Sequence, residues 1–213
     1  MKTDDLVMML ARGNIAVAPR AIERRFVAGI GLGAIATILL MIASLGVRED
    51  LVAAAGLPMF WVKLLFAASL ALASLVAVSR LARPGVSLGL APVAVASPVL
   101  ALWLLGLASL VAAMPNQRSA LLFGETWVVC PLLIAMLAMP VFIGTLWIMA
   151  GLAPTRLRLA GAAGGLLSGA IATLFYSLHC PEMGAPFLAV WYVLGIAIPT
   201  ALGGLLGPRV LRW

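Results

Sequence analysis

Two cysteines and a single histidine carry most of the reactive chemistry open to this chain. Cys130 and Cys180 stand fifty residues apart, and the second lies in the run His179-Cys180-Pro181-Glu182-Met183. Paired thiols can close a disulfide in an oxidising compartment if their Cα atoms come within about 4.4–6.8 Å. Thiol, imidazole, thioether and carboxylate are alternatively ligands for a soft transition metal such as copper, zinc or cadmium. Cys130, Cys180, His179 and Glu182 are then the candidate ligand set. The spacing leaves open a permanent disulfide, or two unrelated buried cysteines. Enzyme chemistry is poorly provided for. No glycine-rich phosphate loop, H-E-x-x-H or C-x-x-C motif occurs, and the lone histidine has no mid-membrane acid to orient it as a general base. The chain reads as a non-enzyme with no obligatory cofactor and no small-molecule substrate.

The elements that must position these residues follow from composition. Of 213 residues, 64% are apolar and 10% charged, and the mean hydropathy is +1.18. A soluble fold of this size cannot hide so much apolar surface, so the chain uses membrane lipid as its solvent. A span needs about 20 mostly apolar residues. Six are legible, at about Phe26–Leu45, Phe60–Val78, Pro92–Ala113, Trp127–Leu152, Leu157–Leu178 and Phe187–Leu206. Strand alternation is absent, which argues against a membrane barrel. The expected fold is all-α, a polytopic membrane helical bundle. The first span is long and lacks a small-residue cleavage site, so it reads as retained rather than as a signal peptide. A short link joins spans four and five. They should be adjacent and antiparallel, which lets Cys130 and Cys180 meet at one end.

Lys and Arg set the orientation. With a cytoplasmic N-terminus, the inner side holds Lys2, Arg12, Arg20, Arg24, Arg25, Arg80, Arg83, Arg156, Arg158, Arg209 and Arg212. Arg48 and Arg118 fall outside, with Glu49, Asp50, Glu125 and Glu182. The expected topology is N-in/C-in, with both cysteines and His179 at the outer face. The +7 formal charge reads as orientation, without nucleic acid. Lys63, near the outer end of its span, is expected to snorkel to the headgroups. No Asp, Glu or Arg sits mid-span, where a coupled transporter normally keeps one.

Gly161, Gly165 and Gly169 recur at four-residue spacing, as do Gly29 and Gly33, and Gly203 and Gly207. Small residues let membrane helices approach closely. The stripe fits packing within the chain, with a homodimer face as the alternative. Residues 1–25 form a cytoplasmic segment before the bundle of 26–213. Thr3 can cap a short helix whose N-terminal end suits Asp4 and Asp5. Leu6, Met9 and Leu10 would share a face, and Gly13-Asn14 can end it. So short a helix is marginal alone and gains from a partner's groove or the membrane surface.

Several stretches are distinctive. They are Lys2-Thr3-Asp4-Asp5-Leu6, Trp127-Val128-Val129-Cys130, Tyr176 through Glu182, Pro186-Phe187, Trp191-Tyr192, and Leu206-Gly207-Pro208-Arg209 with Trp213. Across essentially the whole chain the sequence resembles the NrsF-like family of bacterial inner-membrane proteins. The resemblance implies a six-span anti-sigma factor holding an extracytoplasmic-function (ECF) sigma factor. It implies that Asp4, Asp5 and Leu6 contact that partner, and the cap and apolar face of the same short helix add Thr3, Met9 and Leu10 to the expected contact. It also implies that Cys130 and Cys180 sense heavy-metal or oxidative stress. The competing reading of the same outer site is a small metal transporter or a thiol-active membrane enzyme.

Overall fold

The computed structural model describes Asp5, Val7, Met8 and residues 21–212. Asp5, Val7 and Met8 are helical and exposed. Thr3, Asp4, Leu6, Met9 and Leu10 lie outside the described residues. Among the described residues every regular element is helical. An apolar chain is driven to this because helices satisfy their own backbone groups where no water can.

The elements are α1 (Ala21–Ser44), α2 (Leu51–Ala55), α3 (Pro58–Leu81), α4 (Ala91–Ala112), α5 (Arg118–Phe123), α6 (Cys130–Ala150), α7 (Leu157–Tyr176), α8 (Ala185–Phe187) and α9 (Val193–Val210). A π turn, Leu188–Tyr192, joins α8 to α9, so Ala185–Val210 runs as one rod. Among the described residues, six helices are long and apolar enough to cross a bilayer. They follow the expected spans with shifted ends. The fourth was expected from Trp127, but it begins at Cys130, with a proline in its first turn. Proline favours that position because its missing N–H is not needed there. The fifth stops at Tyr176, short of Leu178.

Helix α7 is the axis. It packs on α9, α6 and α3, with a smaller contact to α1, while α4 lies outside against α3 and α8. Residue size explains the order. The apolar window of α7 is 67% buried against 11% for α4, and α7 is rich in glycine and alanine. A Cβ on Gly161 would strike the Gly203 carbonyl and lie 2.9 Å from Gly207 Cα. One on Gly165 would strike the Pro199 carbonyl, and one on Gly169 would lie 3.0 Å from Ile196 Cα. These neighbours are backbone and cannot swing aside. The glycine stripe of α7 is therefore spent on α9 within the chain.

Helix α1 uses the same device against α6. A Cβ on Gly33 would meet Val141 Cα at 2.9 Å, and one on Gly144 would meet the Gly29 carbonyl at 3.0 Å. Between them the Thr37 hydroxyl donates to the Leu137 carbonyl at 3.0 Å. Two apolar cores result. One gathers Met41, Phe66, Ile134 and Tyr176 around both cysteines. The other gathers Val78, Phe142, Met149 and Leu211 at the opposite end.

Candidate functional site

Cys130 is the first residue of α6. Cys180 sits in the turn that leaves α7, where its N–H and that of His179 both donate to the Tyr176 carbonyl, at 3.0 and 2.9 Å. Both cysteines are free and fully buried in the same apolar core. The α6–α7 hairpin thus returns both cysteines to one core at the same end of the bundle.

The walls of the site are polar in an unusual way. Tyr176 and Tyr192 are fully buried, with ring centroids 5.9 Å apart. Tyr192 is placed by the π turn, whose Ala189 carbonyl takes the Trp103 indole N–H at 2.9 Å. Such turns often mark functional sites, since they rotate one side chain out of helical register. The Tyr192 hydroxyl is buried without a hydrogen-bond partner. The group nearest to satisfying it is the Cys180 thiol, a weak acceptor.

Lys63 corrects one expectation. It does not snorkel. The residue is fully buried, and its ammonium donates to the Cys180 carbonyl at 2.8 Å and the Glu182 carbonyl at 3.4 Å. The Phe60 ring lies 5.7 Å away. Residues 177–184 are non-helical, so their carbonyls have free lone pairs. They solvate the ammonium in place of water. Arg48 adds a second cation. Its Nη1 donates to the Cys180 carbonyl at 3.3 Å, while its other nitrogens hold both Asp50 oxygens at 2.6 Å. The bond to Asp50 raises the arginine's pKa and lowers that of Asp50. At Cys180 the neighbouring Cys130 thiol, and beyond it the Lys63 charge, hold the thiol below its ordinary pKa. Cys180 is accordingly the readier thiolate.

His179 and Glu182 are not ligands beside the sulfurs. Glu182 Oε1 accepts from the N–H of Glu125 at 2.7 Å, and from the N–H and hydroxyl of Thr126, both at 3.2 Å. Gly124 makes this approach possible: its φ is +54°, and a Cβ there would strike the Glu182 carboxylate. His179 Nδ1 lies 3.0 Å from the Gly46 carbonyl. A carbonyl only accepts, so Nδ1 carries the proton. Among the described residues, no group of three or more His, Cys, Asp and Glu is arranged to hold a metal ion. The expected four-ligand set is therefore not assembled. Both extra side chains are drawn away by backbone groups of neighbouring loops, and the two thiols are left as the soft donors.

Sequence reasoning passed over Arg48 as a loop charge and Lys63 as a snorkelling one. A lysine inside an apolar span is itself a functional signal. Tyr192 had no such signal, because a π turn leaves no mark in hydropathy.

The comparisons with known proteins agree on one family. The family described as "Negative regulator of sigma F" matches residues 10–213. The chain is 54% identical over 213 residues to the probable anti-sigma-F factor NrsF of Azospira oryzae, covering 100% of both chains. It is 40% identical over 215 residues to the anti-sigma-F factor NrsF of Caulobacter vibrioides, again covering 100% of both. Those relatives are named as regulatory proteins rather than enzymes. No solved structure matches the chain. A dithiol at one end of an all-helical bundle thus sits in a chain that belongs, over nearly its whole length, to the NrsF family of negative regulators of sigma F.

Proposed function

We propose that this protein is an anti-sigma factor that holds an ECF sigma factor at the bacterial inner membrane and releases it when Cys130 and Cys180 react. The full-length similarity to two proteins named as anti-sigma-F factors carries the reading. The N-terminal segment, through Thr3, Asp4, Asp5, Leu6, Met9 and Leu10, is the contact with the sigma factor. The bundle is oriented N-in/C-in. The basic residues on the even-numbered connections support this, since such residues mark the cytoplasmic side.

The signal is a soft metal ion or an oxidant arriving at the periplasmic end. Two thiols and an unpartnered phenol fit a soft ion held mainly by sulfur better than a four-ligand zinc site. Cys130 and Cys180 would hold such an ion, and Tyr192 would donate to the sulfur that bears charge. To move a resting state from about 1:99 to 99:1, a signal must favour the released form by about 5.5 kcal/mol. Metal–thiolate bonding is strong enough to supply this.

Two measurements test the reading. Capture of the sigma factor by the full-length protein in detergent should be lost when residues 1–14 are deleted, or when Asp4 and Asp5 become alanine. Retained capture refutes the tail assignment. A promoter reporter should lose its metal and oxidant response in Cys130→Ser and Cys180→Ser. A normal response in either refutes the sensor assignment.

A further inference from the structure

Helix α1 touches both cysteine-bearing elements, and in different ways. Along its length it lies on α6, the helix that begins at Cys130, through Gly29, Gly33, Gly144 and the Thr37 bond. At its end it is clasped by the turn that carries Cys180. The Arg48 N–H donates to the Leu178 carbonyl at 3.2 Å, the His179 Nδ1–H to the Gly46 carbonyl at 3.0 Å, and the Arg48 guanidinium to the Cys180 carbonyl at 3.3 Å. Gly46 can turn the chain into this clasp because its φ is +75°. Elsewhere α1 has little support. Its apolar window is only 17% buried.

We propose that α1 is the output lever of the bundle, held between Cys130 and Cys180 so that a change in the spacing of the two sulfurs displaces the helix that leads to the N-terminal segment. A rigid rod fixed along its flank to one body and at its tip to another must move when those bodies move relative to each other. Residue 44 ends α1 at the dithiol, and residue 21 begins it at the far end. At 1.5 Å per residue the helix spans about 36 Å, enough to cross the hydrocarbon. Arg48 and His179 are positioning residues in this scheme. They touch the peptide and not the sulfur, so they transmit the change in spacing, while the Arg48 charge also adds to the field at Cys180. The inference deepens the sensing role proposed above and rests on it for what the N-terminal segment does.

The test uses the full-length protein in phosphatidylethanolamine–phosphatidylglycerol nanodiscs, with diamide as the probe. Diamide, an azodicarboxamide oxidant, takes two electrons and two protons from the thiol pair, which closes as an S–S bond while the azo group is reduced to a hydrazine. Hydrogen exchange read by mass spectrometry should rise in peptides covering residues 44–50 and in α1 after diamide treatment. It should not change in Cys130→Ser. Unchanged exchange in oxidised wild type overturns the proposal.

Given time to reach completion, the Arg48→Ala/His179→Ala double variant should still lose two alkylatable thiols to diamide, if more slowly for want of the Arg48 charge. Its reporter induction should fall from the wild-type ratio, at least about fivefold, to about one. Normal thiol oxidation with full induction overturns the lever. Increased exchange in α1 with no reporter response supports the lever and refutes the signalling role instead.

Discussion

Replacing Lys63 by methionine separates the electrical role of this residue from its space-filling one. The ammonium lies 2.8 Å from the Cys180 carbonyl oxygen, which puts it within about 6 Å of that residue's sulfur by the dimensions of one residue. At an effective dielectric of about 20, a unit charge at that distance favours a thiolate by about 3 kcal/mol, or about two pH units. Arg48 stays in place and supplies part of the same field. That figure is an upper bound, since Lys63 ranks behind closer partners in lowering the Cys180 thiol; the pH at which Cys180 becomes half-reactive should rise by up to about one unit in Lys63→Met.

The assay is the alkylation rate of Cys180 by iodoacetamide against pH, measured in a Cys130→Ser background in nanodiscs. Both proteins in the comparison carry that background, so the Cys130 contribution cancels. Lys63→Arg keeps the charge and should keep the profile. Methionine fills most of the space, and the Glu182 carbonyl loses its ammonium donor. The expected stability loss is about 1–2 kcal/mol. Lys63→Ala should lose about 2 kcal/mol more, because the methylenes leave a cavity. A folded Lys63→Met protein whose alkylation profile superimposes on that of its parent would refute the assignment of Lys63 as the thiolate's counter-charge.

Three further outcomes follow from the site and the packing. Glu182→Ala removes the acceptor of three bonds and should lower stability by about 2 kcal/mol. Glu182→Gln, which keeps a carbonyl acceptor, should recover at least half of that in thermal unfolding. Cadmium bound to purified protein, measured by equilibrium dialysis, should drop in Cys130→Ser and Cys180→Ser and stay unchanged in His179→Ala, whose ring faces Gly46. Asp50→Asn should destabilise the protein near neutral pH. That difference should vanish on acidification through the lowered carboxylate pKa, below 3.8, because a depressed acid contributes above its ordinary pKa and loses the contribution as it protonates.

The bundle itself was legible because span length and hydropathy are imposed by the bilayer, whatever the packing. Helix ends were less so. Trp127 to Val129 are apolar, yet they form the turns before α6, and nothing in their hydropathy tells a turn from a helix. The approach of Cys130 to Cys180 was readable because an antiparallel hairpin returns the chain to its starting end. The surroundings of the pair were not. His179 and Glu182 adjoin Cys180 in sequence, which suggested a shared ligand set. Their side chains leave in other directions because Gly46, Glu125 and Thr126 offer backbone partners from loops distant in sequence. Likewise, nothing local to Lys63 shows that its carbonyl acceptors lie 117 and 119 residues away.

The glycine seam between α7 and α9 has a consequence for sidedness. Where backbone lies on backbone, as at Gly161 with Gly203 and Gly165 with Pro199, no hydrated passage fits between the helices. Most hydroxyls at this depth are turned back on their own helices, Thr145 being left unpartnered. Ser168 and Thr173 bond back to the carbonyls four residues earlier on their own helix, and Ser74 does the same on α3. The two cysteines themselves lie fully buried in the core at one end of the bundle. A reagent confined to one aqueous compartment can reach the thiols only from the loops that surround them. In the lever proposed above, what would cross to the other compartment is displacement of helices, and no solute need follow.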